Sequence, residues 1–281
     1  MKIKNHLLYQ DDDKQVKFRL TPNIGGSLAK PTVIIMHDTA GRLDPITSVD
    51  WLTNKAAKAS AHLVVGRNPG EIWQLAPFNR QTWHAGKSIY KGRSGVNLFG
   101  IGIEFVNPGA LNSGGRAWFG QSFNIKEYGI ERAKTEYHGD AWWMPYTPFQ
   151  ISFAVEISNL LMAEYKTIAD ISAHYIIAPK RKVDVNPLFP LDYVRSRALG
   201  RADNTPDCTV RAGAIIRKYP SFYKANVISS LSGLAKGEIL DSGIYEYAGD
   251  TIVTGASPAL WFKVKTGKIV GWVPAQFVET N

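Results

Sequence analysis

The chain has only one cysteine, Cys208, among its 281 residues. No disulfide can therefore form within the chain, and any metal site must use histidine and carboxylate ligands. No apolar run approaches the roughly 18–20 residues of a membrane-spanning helix. The first residues, MKIKNHLLYQDDDK, also fall short of the roughly 7–15 apolar residues that the core of a secretory signal needs. We therefore expect a protein that is synthesised in the cytoplasm without a signal peptide.

Three common motifs of nucleotide and hydrolase sites are missing. The GKS at 86–88 cannot begin a phosphate-binding loop, because Gln81 stands where that loop needs a glycine. The GIG at 100–102 lacks the rest of a dinucleotide fingerprint, and the chain has no GxSxG sequence of a nucleophile elbow. These absences argue against phosphate-loop, dinucleotide and serine-hydrolase sites.

The composition is that of a folded, basic protein. Apolar residues make up 44% of the chain and charged residues 20%, which suffices for a core. The net charge of +9 favours an anionic partner, such as nucleic acid, a phospholipid surface or a wall polymer. Basic and acidic residues number 25 and 18 before residue 206, and 8 and 6 from there on. The excess charge lies mainly in the first part, where bases are scattered among acids and form no single-sign stripe for nucleic acid.

Strand and helix patterns alternate over the first 200 residues. The runs PTVIIMH (31–37) and GIGIEFV (100–106) predict short buried strands, and AHLVVG with EIWQLA predicts a hairpin. Helical patterns cover TSVDWLTNKAAKAS (47–60), which a Thr or Ser could cap, and TPFQISFAVEISNLLMAEYK (147–166). This alternation predicts an α/β domain with a mixed central sheet flanked by helices.

The rest of the chain divides into three parts. The segment 107–146 is rich in Gly, Trp and Tyr but has no steady periodicity, so we expect an ordered surface excursion, and its pattern does not assign strands or helices there. Runs such as WFKVK and IVGWV near the C-terminus alternate and are broken by glycine, which predicts a small all-β barrel. A polar stretch with one proline precedes them. We therefore predict a first domain over 1–200, a linker over 201–207 and a second domain over 208–281.

Two of the six histidines occupy positions typical of a functional site. His37 ends an apolar strand and opens onto a polar loop, and His174 begins the charged loop HYIIAPKRKVDVNP after the long helix. Asp184 follows ten residues after His174. Two imidazoles and one carboxylate are sufficient protein ligands for a catalytic zinc ion, with a fourth position left for water.

Glu104 and Lys182 are the other charged candidates. Glu104 stands between Ile103 and Phe105, and a carboxylate in so apolar a strand is unfavourable to bury unless it is paired or functional. The alternative is that Glu104 points outward from a half-exposed strand. Lys182 and Asp184 are two residues apart and would share one face of an extended segment. The alternative for Lys182 is a solvated basic cluster, KRK.

An ordered series of motifs resembles the zinc-dependent type-2 N-acetylmuramoyl-L-alanine amidases, a family related in fold to peptidoglycan recognition proteins. Between residues 31 and 195 the motifs read VIIMHDTAG, ASAHLVVGRNPGEIWQLAP, TWHAGKS, IGIEFVNPG and HYIIAPKRKVDVNPLFP. The closing loop has DVNP where the family usually has DPG, and the excursion at 107–146 is longer than in minimal members. The C-terminal WFKVKTGKIVGWVPAQFVE resembles a bacterial SH3-like module, which either binds cell wall or only stabilises the protein.

The resemblance implies roles for the candidate residues. The zinc ligands of the family match His37, His174 and Asp184. Its general base matches Glu104, and the residue that stabilises the oxyanion matches Lys182. His84 matches a histidine close to the family's site, and Arg67 lies near an arginine that can meet the stem peptide. The resemblance thus predicts that His84 and Arg67 bind substrate.

The implied reaction is hydrolysis, by zinc-activated water, of the amide between N-acetylmuramic acid and the L-alanine of the stem peptide. Without a signal peptide and with a β appendage, the protein is expected to be a phage or prophage endolysin that reaches the cell wall after release. A non-catalytic peptidoglycan-binding protein of the same fold and a cytoplasmic amidase that recycles muropeptides are the alternatives. A nucleic-acid-binding protein is a further alternative, which only the net charge supports.

Overall fold

The structure is a computed structural model that describes residues 1–199, 207–218, 227–245 and 259–280. The chain separates into two compact units. The first comprises residues 1–123 and 130–199, and the second comprises residues 124–129 and the chain from residue 200 onward. The predicted linker lies outside the described residues, except for Asp207, which begins a strand.

Short strands, five α-helices and two 3-10 helices, Lys55–Ala57 and Val96–Leu98, account for the regular structure of residues 1–199. The strands are β1 (Lys2–Lys4), β2 (Leu7–Tyr9), β3 (Lys17–Phe18), β4 (Ile24–Ser27), β5 (Val33–Asp38), β6 (Leu63–Val65), β7 (Ile72–Gln74), β8 (Arg80–Thr82), β9 (Ile89–Tyr90), β10 (Arg93–Ser94), β11 (Gly100–Phe105), β12 (Ala110–Leu111), β13 (Glu131–Thr135), β14 (Gly139–Trp143) and β15 (Asp170–Ala173). The helices are α1 (Pro45–Leu52), α2 (Ile125–Tyr128), α3 (Pro148–Glu164), α4 (His174–Ile177) and α5 (Leu191–Ala198). Within the described residues, no helix has both the length and the apolar character needed to cross a membrane.

A six-stranded mixed sheet forms the centre of the first unit, in the order β15-β5-β11-β6-β7-β3. The strands β15, β5, β11 and β6 run parallel, and β7 is antiparallel to β6. Every residue of β5 is buried, as its continuous apolar run predicts for a strand covered on both faces. The prediction of an α/β domain with a mixed central sheet is confirmed, as are the predicted hairpin and buried strands.

The strand register brings three predicted site residues to one edge of the sheet. Glu104 of β11 stands opposite His37 of β5. Ala173 ends β15 opposite Met36, so the next residue, His174, lies beside His37 just beyond the sheet. In open α/β sheets, ligands bind outside the carboxyl ends of the parallel strands. The sheet therefore presents these side chains where a site is expected.

The two predicted helices differ in how well the sequence placed them. Helix α3 lies within the predicted range 147–166, and a reciprocal pair of hydrogen bonds between Thr147 and Gln150 caps it. Helix α1, predicted over 47–60, instead begins at Pro45 and ends at Leu52. Its cap is Asp44, whose carboxylate accepts a hydrogen bond from the next turn, and not a Thr or Ser. The following proline fits the first helical position, which explains the earlier start.

The segment 107–146 is folded, as expected of an ordered excursion, and it contains strands that the sequence pattern did not assign. Strands β12, β14 and β13 form an antiparallel sheet in that order. Trp143, Met144 and Tyr146, which end the segment, are buried. The sheet could not be predicted from the sequence because four of the five residues of β13 are exposed. A strand with so little buried surface shows no apolar alternation.

The described part of the second unit beyond residue 200 consists of strands, turns and one short 3-10 helix, Ala275–Phe277. The strands are β16 (Asp207–Val210), β17 (Ile215–Arg217), β18 (Val227–Ser230), β19 (Ala235–Tyr245), β20 (Ala259–Thr266), β21 (Ile269–Pro274) and β22 (Val278–Thr280). They form one sheet, in the order β18-β17-β21-β20-β19-β16-β22. Cys208, Val210, Ile216, Val264 and Val273 belong to its buried core. Its assignment as an SH3-like module stays a prediction.

Candidate metal centre

The three predicted ligands converge at the carboxyl edge of the central sheet. His37 Nδ1 lies 2.9 Å from His174 Nδ1 and 3.1 Å from Asp184 Oδ2. The distance from His174 Nδ1 to Asp184 Oδ2 is 2.8 Å. Both imidazoles are buried, and Asp184 is nearly so. One atom from each of the three residues thus faces a common point.

Hydrogen bonds on the far side of the imidazoles determine which nitrogen carries the proton. His174 Nε2 lies 3.2 Å from the carbonyl oxygen of Ala85, which can only accept, and 3.4 Å from Arg181 Nη2, which can only donate. The shorter contact favours a proton on Nε2, which leaves a lone pair on Nδ1. His84 Nε2 is likewise 3.2 Å from the carbonyl oxygen of Gly100, which leaves His84 Nδ1 as an acceptor. His37 Nε2, 2.9 Å from His84 Nδ1, is therefore the donor of that pair. His37 Nδ1 consequently also presents a lone pair.

Three ligand atoms so close together can hold a metal cation between them. Burial is the main cause that lowers the pKa of His37 to about 4, and it lowers the pKa of His84 well below its usual value, so both rings are neutral at pH 7. Two imidazole nitrogens and a carboxylate oxygen are a ligand set typical of catalytic zinc. Metal-ligating histidines also usually donate their other ring proton to a neighbouring acceptor. The donor set therefore fits a zinc ion.

Glu104 lies in the cleft beside this group. Its Oε2 is out of contact with solvent and has no hydrogen-bond partner among the described residues. Burial, followed by the negative charges of Asp184 and Asp38, raises the pKa of Glu104 well above its usual value, and the positive charge of Lys182 opposes this shift. Glu104 is therefore a cleft residue and does not point outward from a solvated sheet face.

A cleft of about 510 Å³ opens over these residues. Lys182 is exposed and lines the cleft together with Glu104 and Asp184, so the KRK cluster is not merely a solvated surface. The ammonium of Lys182 acts electrostatically on both Glu104 and His37. The cleft thus combines a ligand set, a buried carboxyl oxygen with no partner among the described residues, and a cation.

The two predicted substrate-binding residues occupy different places. His84 lines the cleft, but its ring is buried and supports His37 from behind. Arg67 lies in the turn between β6 and β7, where Nη1 and Nη2 donate to the carbonyl oxygen of Pro145 at 3.2 and 3.1 Å. Arg67 is not among the described residues that line the cleft. Substrate binding by His84 and Arg67 stays a prediction.

Asn186 supports the Asp184 loop, and sequence reasoning missed it. The main-chain N–H of Asn186 donates to Asp38 Oδ2 at 2.9 Å. Its side-chain amide donates to Asn107 Oδ1 at 3.1 Å and to the carbonyl oxygen of Met144 at 3.0 Å. Because Asn107 and Met144 lie at opposite ends of the excursion, the excursion holds the loop that carries Asp184.

His138 and Tyr146 provide two further supports from the excursion. His138 Nε2 lies 2.9 Å from the carbonyl oxygen of Val185, the residue after Asp184. The hydroxyl of Tyr146 donates to Asp38 Oδ2 at 2.9 Å, and burial is the main cause that raises the pKa of Asp38 to about 7. The only sequence signal for these contacts was the unusual DVNP of the closing loop.

The chain is similar to known proteins over its first unit. Residues 27–187 match the Amidase_2 family, described as N-acetylmuramoyl-L-alanine amidase. The chain is 30% identical over 175 residues to the N-acetylmuramoyl-L-alanine amidase AmiD of Escherichia coli K12, a match that covers 60% of this chain and 53% of AmiD. It is 29% identical over 198 residues to the 1,6-anhydro-N-acetylmuramyl-L-alanine amidase AmpD of Citrobacter freundii, covering 69% of this chain and 86% of AmpD. The match thus spans about half the length of AmiD.

One similar solved structure is a complex of E. coli AmiD with anhydro-N-acetylmuramic acid-L-Ala-D-γ-Glu-L-Lys. Its TM-score with this chain is 0.45 at 28% sequence identity, and the match covers 67% of this chain and 63% of AmiD.

Proposed function

This chain belongs to the N-acetylmuramoyl-L-alanine amidase family, and we propose that it hydrolyses the amide between N-acetylmuramic acid and the L-alanine of a peptidoglycan stem peptide. The observation that carries the proposal is the convergence of His37 Nδ1, His174 Nδ1 and Asp184 Oδ2 beside a buried carboxyl oxygen of Glu104. All four residues lie within the matched range, 27–187. The excess positive charge of the first unit also suits a substrate with free peptide carboxylates.

The cofactor of this proposal is zinc, held by His37, His174 and Asp184. When bound, zinc supplies Lewis acidity and lowers the pKa of water to about 7. The chain itself prepares the ligands: the carbonyl oxygen of Ala85 and the Nδ1 atom of His84 each keep a ligand proton on Nε2. Loss of either contact would allow the ring to turn its proton toward the metal position.

Glu104 is the proton carrier in this mechanism. Hydrolysis of an amide needs a base that takes a proton from the attacking water and an acid that protonates the leaving amine. One carboxyl group can perform both steps in turn, and burial raises the pKa of Glu104 well above its usual value, which makes it a stronger base than an ordinary carboxylate. Because Oε2 has no partner among the described residues, no protein bond must break before it acts.

Lys182 stabilises the negative charge that develops on the amide oxygen. Its side chain lines the cleft beside Glu104 and Asp184, and an ammonium group there adds a fixed positive charge. Removal of one well-placed donor to such an oxyanion typically raises the barrier by roughly 3–4 kcal/mol. The role is electrostatic, so a neutral residue of similar length would not replace it.

Two cellular roles fit this reaction. The endolysin role, with action on the wall after release from the cytoplasm, rests on the all-β C-terminal unit as a wall-binding SH3-like module. The recycling role is favoured by the similarity to AmpD, which is named for a 1,6-anhydro substrate and of which 86% is matched. Separate digestions of intact sacculi and of soluble anhydro-muropeptides distinguish the two. An endolysin releases peptides from sacculi, whereas a recycling amidase acts on the soluble substrate alone.

Mass spectrometry of the products tests the proposed reaction. Purified protein incubated with a muramyl peptide should release a stem peptide with a free L-alanine amine and a sugar with a free lactyl carboxylate. A chelator should abolish this release, and added zinc should restore it. Binding of the muramyl peptide without any product would instead support the non-catalytic alternative, and full activity of protein shown to be free of metal would overturn the zinc assignment.

A further inference from the structure

Four aromatic side chains line the cleft and take no part in the mechanism above: Trp51, Trp83, Trp118 and Phe119. The exposed fractions of the three tryptophans are 59%, 39% and 78%, in that order. Single exposed apolar residues are common, but a group of them within one cleft marks a binding surface. The aromatic wall, as we call these four residues, is therefore a candidate for binding part of the substrate.

Trp118 is exposed and yet fixed in position. Its Nε1 donates a hydrogen bond of 2.6 Å to the carbonyl oxygen of Ala40, three residues after His37. Its ring meets Phe119 edge to face, with the centroids 5.6 Å apart and the planes at 88°. Since the indole N–H is satisfied, what the cleft offers to a ligand is the apolar surface of the ring.

The backbone around this pair is also fixed. Trp118 and Phe119 lie in a tight turn, where the N–H of Ala117 donates to the carbonyl oxygen of Gln121 at 2.8 Å and the N–H of Gly120 donates to that of Ala117 at 2.9 Å. Binding to a rigid surface loses less conformational entropy than binding to a mobile one. The turn therefore presents a preorganised aromatic surface.

The chemistry of the wall favours the sugar side of the scissile bond. A pyranose ring offers a flat face of C–H groups, which complements the negative face of an aromatic ring. The stem peptide begins with an alanine and a glutamate, whose methyl group and carboxylate gain little from a broad indole. Arg42, which also lines the cleft, lies over Phe119 with its guanidinium carbon 5.5 Å from the ring centroid.

We propose that Trp118, supported by Phe119, is a stacking platform for the pyranose ring of N-acetylmuramic acid. The inference rests on the proposed function, because the sugar lies on one side of the amide that the metal centre cleaves. It assigns to the excursion at 107–146 a role in substrate specificity in addition to its support of the Asp184 loop.

Two substrates with the same scissile amide test the proposal. One is N-acetylmuramoyl-L-Ala-γ-D-Glu-L-Lys, and the other is the lactoyl peptide that lacks the pyranose ring. Trp118→Ala should lower kcat/KM about tenfold on the sugar-bearing substrate, as expected for loss of one aromatic contact, and change it less than about twofold on the lactoyl peptide. Trp118→Phe, which keeps an aromatic face, should lose about twofold to threefold on the sugar-bearing substrate alone.

Leu98→Ala is the matched control, since Leu98 is 61% exposed and lies outside the residues that line the cleft. Leu98→Ala should leave kcat/KM unchanged on both substrates. Because Trp118 touches the loop after His37, the zinc content and melting temperature of each variant are measured as well. An equal loss on both substrates would mean that Trp118 only positions that loop, and this would overturn the proposal. No loss on either substrate, or a greater loss on the lactoyl peptide, would overturn it too.

A binding measurement separates this proposal from the proposed function. Tryptophan fluorescence of the zinc-loaded protein is titrated with a peptide-free disaccharide that contains N-acetylmuramic acid. The wild-type protein should show a saturable change that Trp118→Ala greatly weakens, whether or not any substrate is hydrolysed. If the wild-type protein hydrolyses neither substrate but still binds the disaccharide through Trp118, the proposed function is wrong and the sugar-binding proposal stands. Absence of a saturable fluorescence change in the wild-type protein would overturn the proposal that Trp118 binds the sugar.

Discussion

Two regions of the first unit hold the candidate metal ligands by different means. His37 and His174 stand at the ends of neighbouring parallel strands, where the main-chain pairing of β5 and β15 fixes their spacing. Asp184 stands on an irregular loop that reaches the site because Asn186 and His138 bond it in place. The strand-borne ligands therefore depend on the sheet, whereas the loop-borne ligand depends on the excursion at 107–146.

This difference separates stability from metal affinity. The sheet belongs to the buried core, so a change that disturbs β5 or β15 should unfold the unit along with the site. The contacts between excursion and loop are a few buried hydrogen bonds, which can be lost while the sheet persists. Changes on the excursion side should thus weaken metal binding more than they weaken folding.

The largest expected effect is that of Glu104→Gln, which changes the chemistry of the strand region without changing its shape. Loss of a general base or acid typically lowers a rate by about 10²–10⁴-fold, and we expect a fall in kcat of that size. Zinc content should be unchanged, because Glu104 lies outside the ligand group. The control is Glu131→Gln, since Glu131 is an exposed carboxylate on β13 of the excursion. A fall in kcat of less than about tenfold for Glu104→Gln would contradict its assigned role.

A smaller effect is expected from Asn186→Ala, which removes the side-chain bonds from the loop to Asn107 and Met144 and leaves the His138 contact in place. Loss of residues that orient metal ligands typically weakens metal affinity by about 10–100-fold, and a competition titration with a fluorescent chelator measures this. The control is Gln74→Ala, because Gln74 is a buried amide that also donates to two carbonyl oxygens, those of His6 and Ala76, at 3.1 and 3.0 Å. It should lower the melting temperature and leave zinc affinity intact. If Asn186→Ala behaves like this control, the Asn186 side chain supports folding only, which would contradict its assigned role at the metal site.

The same division explains what could be predicted from the sequence. The apolar runs that end in His37 and contain Glu104 are local patterns, so the two strands could be predicted. Their alignment, which sets Glu104 opposite His37, comes only from the structure. From the residues alone, Lys182 was best interpreted as part of a solvated basic cluster. Only the family resemblance predicted that Lys182 belongs to the site. The start of α1 was missed because its cap, Asp44, lies before the apolar pattern begins.

The supports of the loop could not be predicted because they join residues far apart in the chain. Asn186 meets Asn107 across 79 positions, and His138 meets Val185 across 47. Such contacts leave no periodic pattern of apolar residues in the sequence, since each is a single buried polar pair in an irregular segment. The linker fell on residues outside the described ranges, and the SH3-like assignment of the C-terminal unit stays a prediction.

The most direct test of the central claim is ¹⁵N NMR of the histidine side chains with and without one equivalent of zinc. The structure predicts that His37 and His174 carry their protons on Nε2 in both states, held by His84 and by the carbonyl oxygen of Ala85. Added zinc should then shift the Nδ1 resonances of His37 and His174, while their Nε2 atoms stay protonated. Coordination through Nε2, or no response of either residue to zinc, would contradict the account.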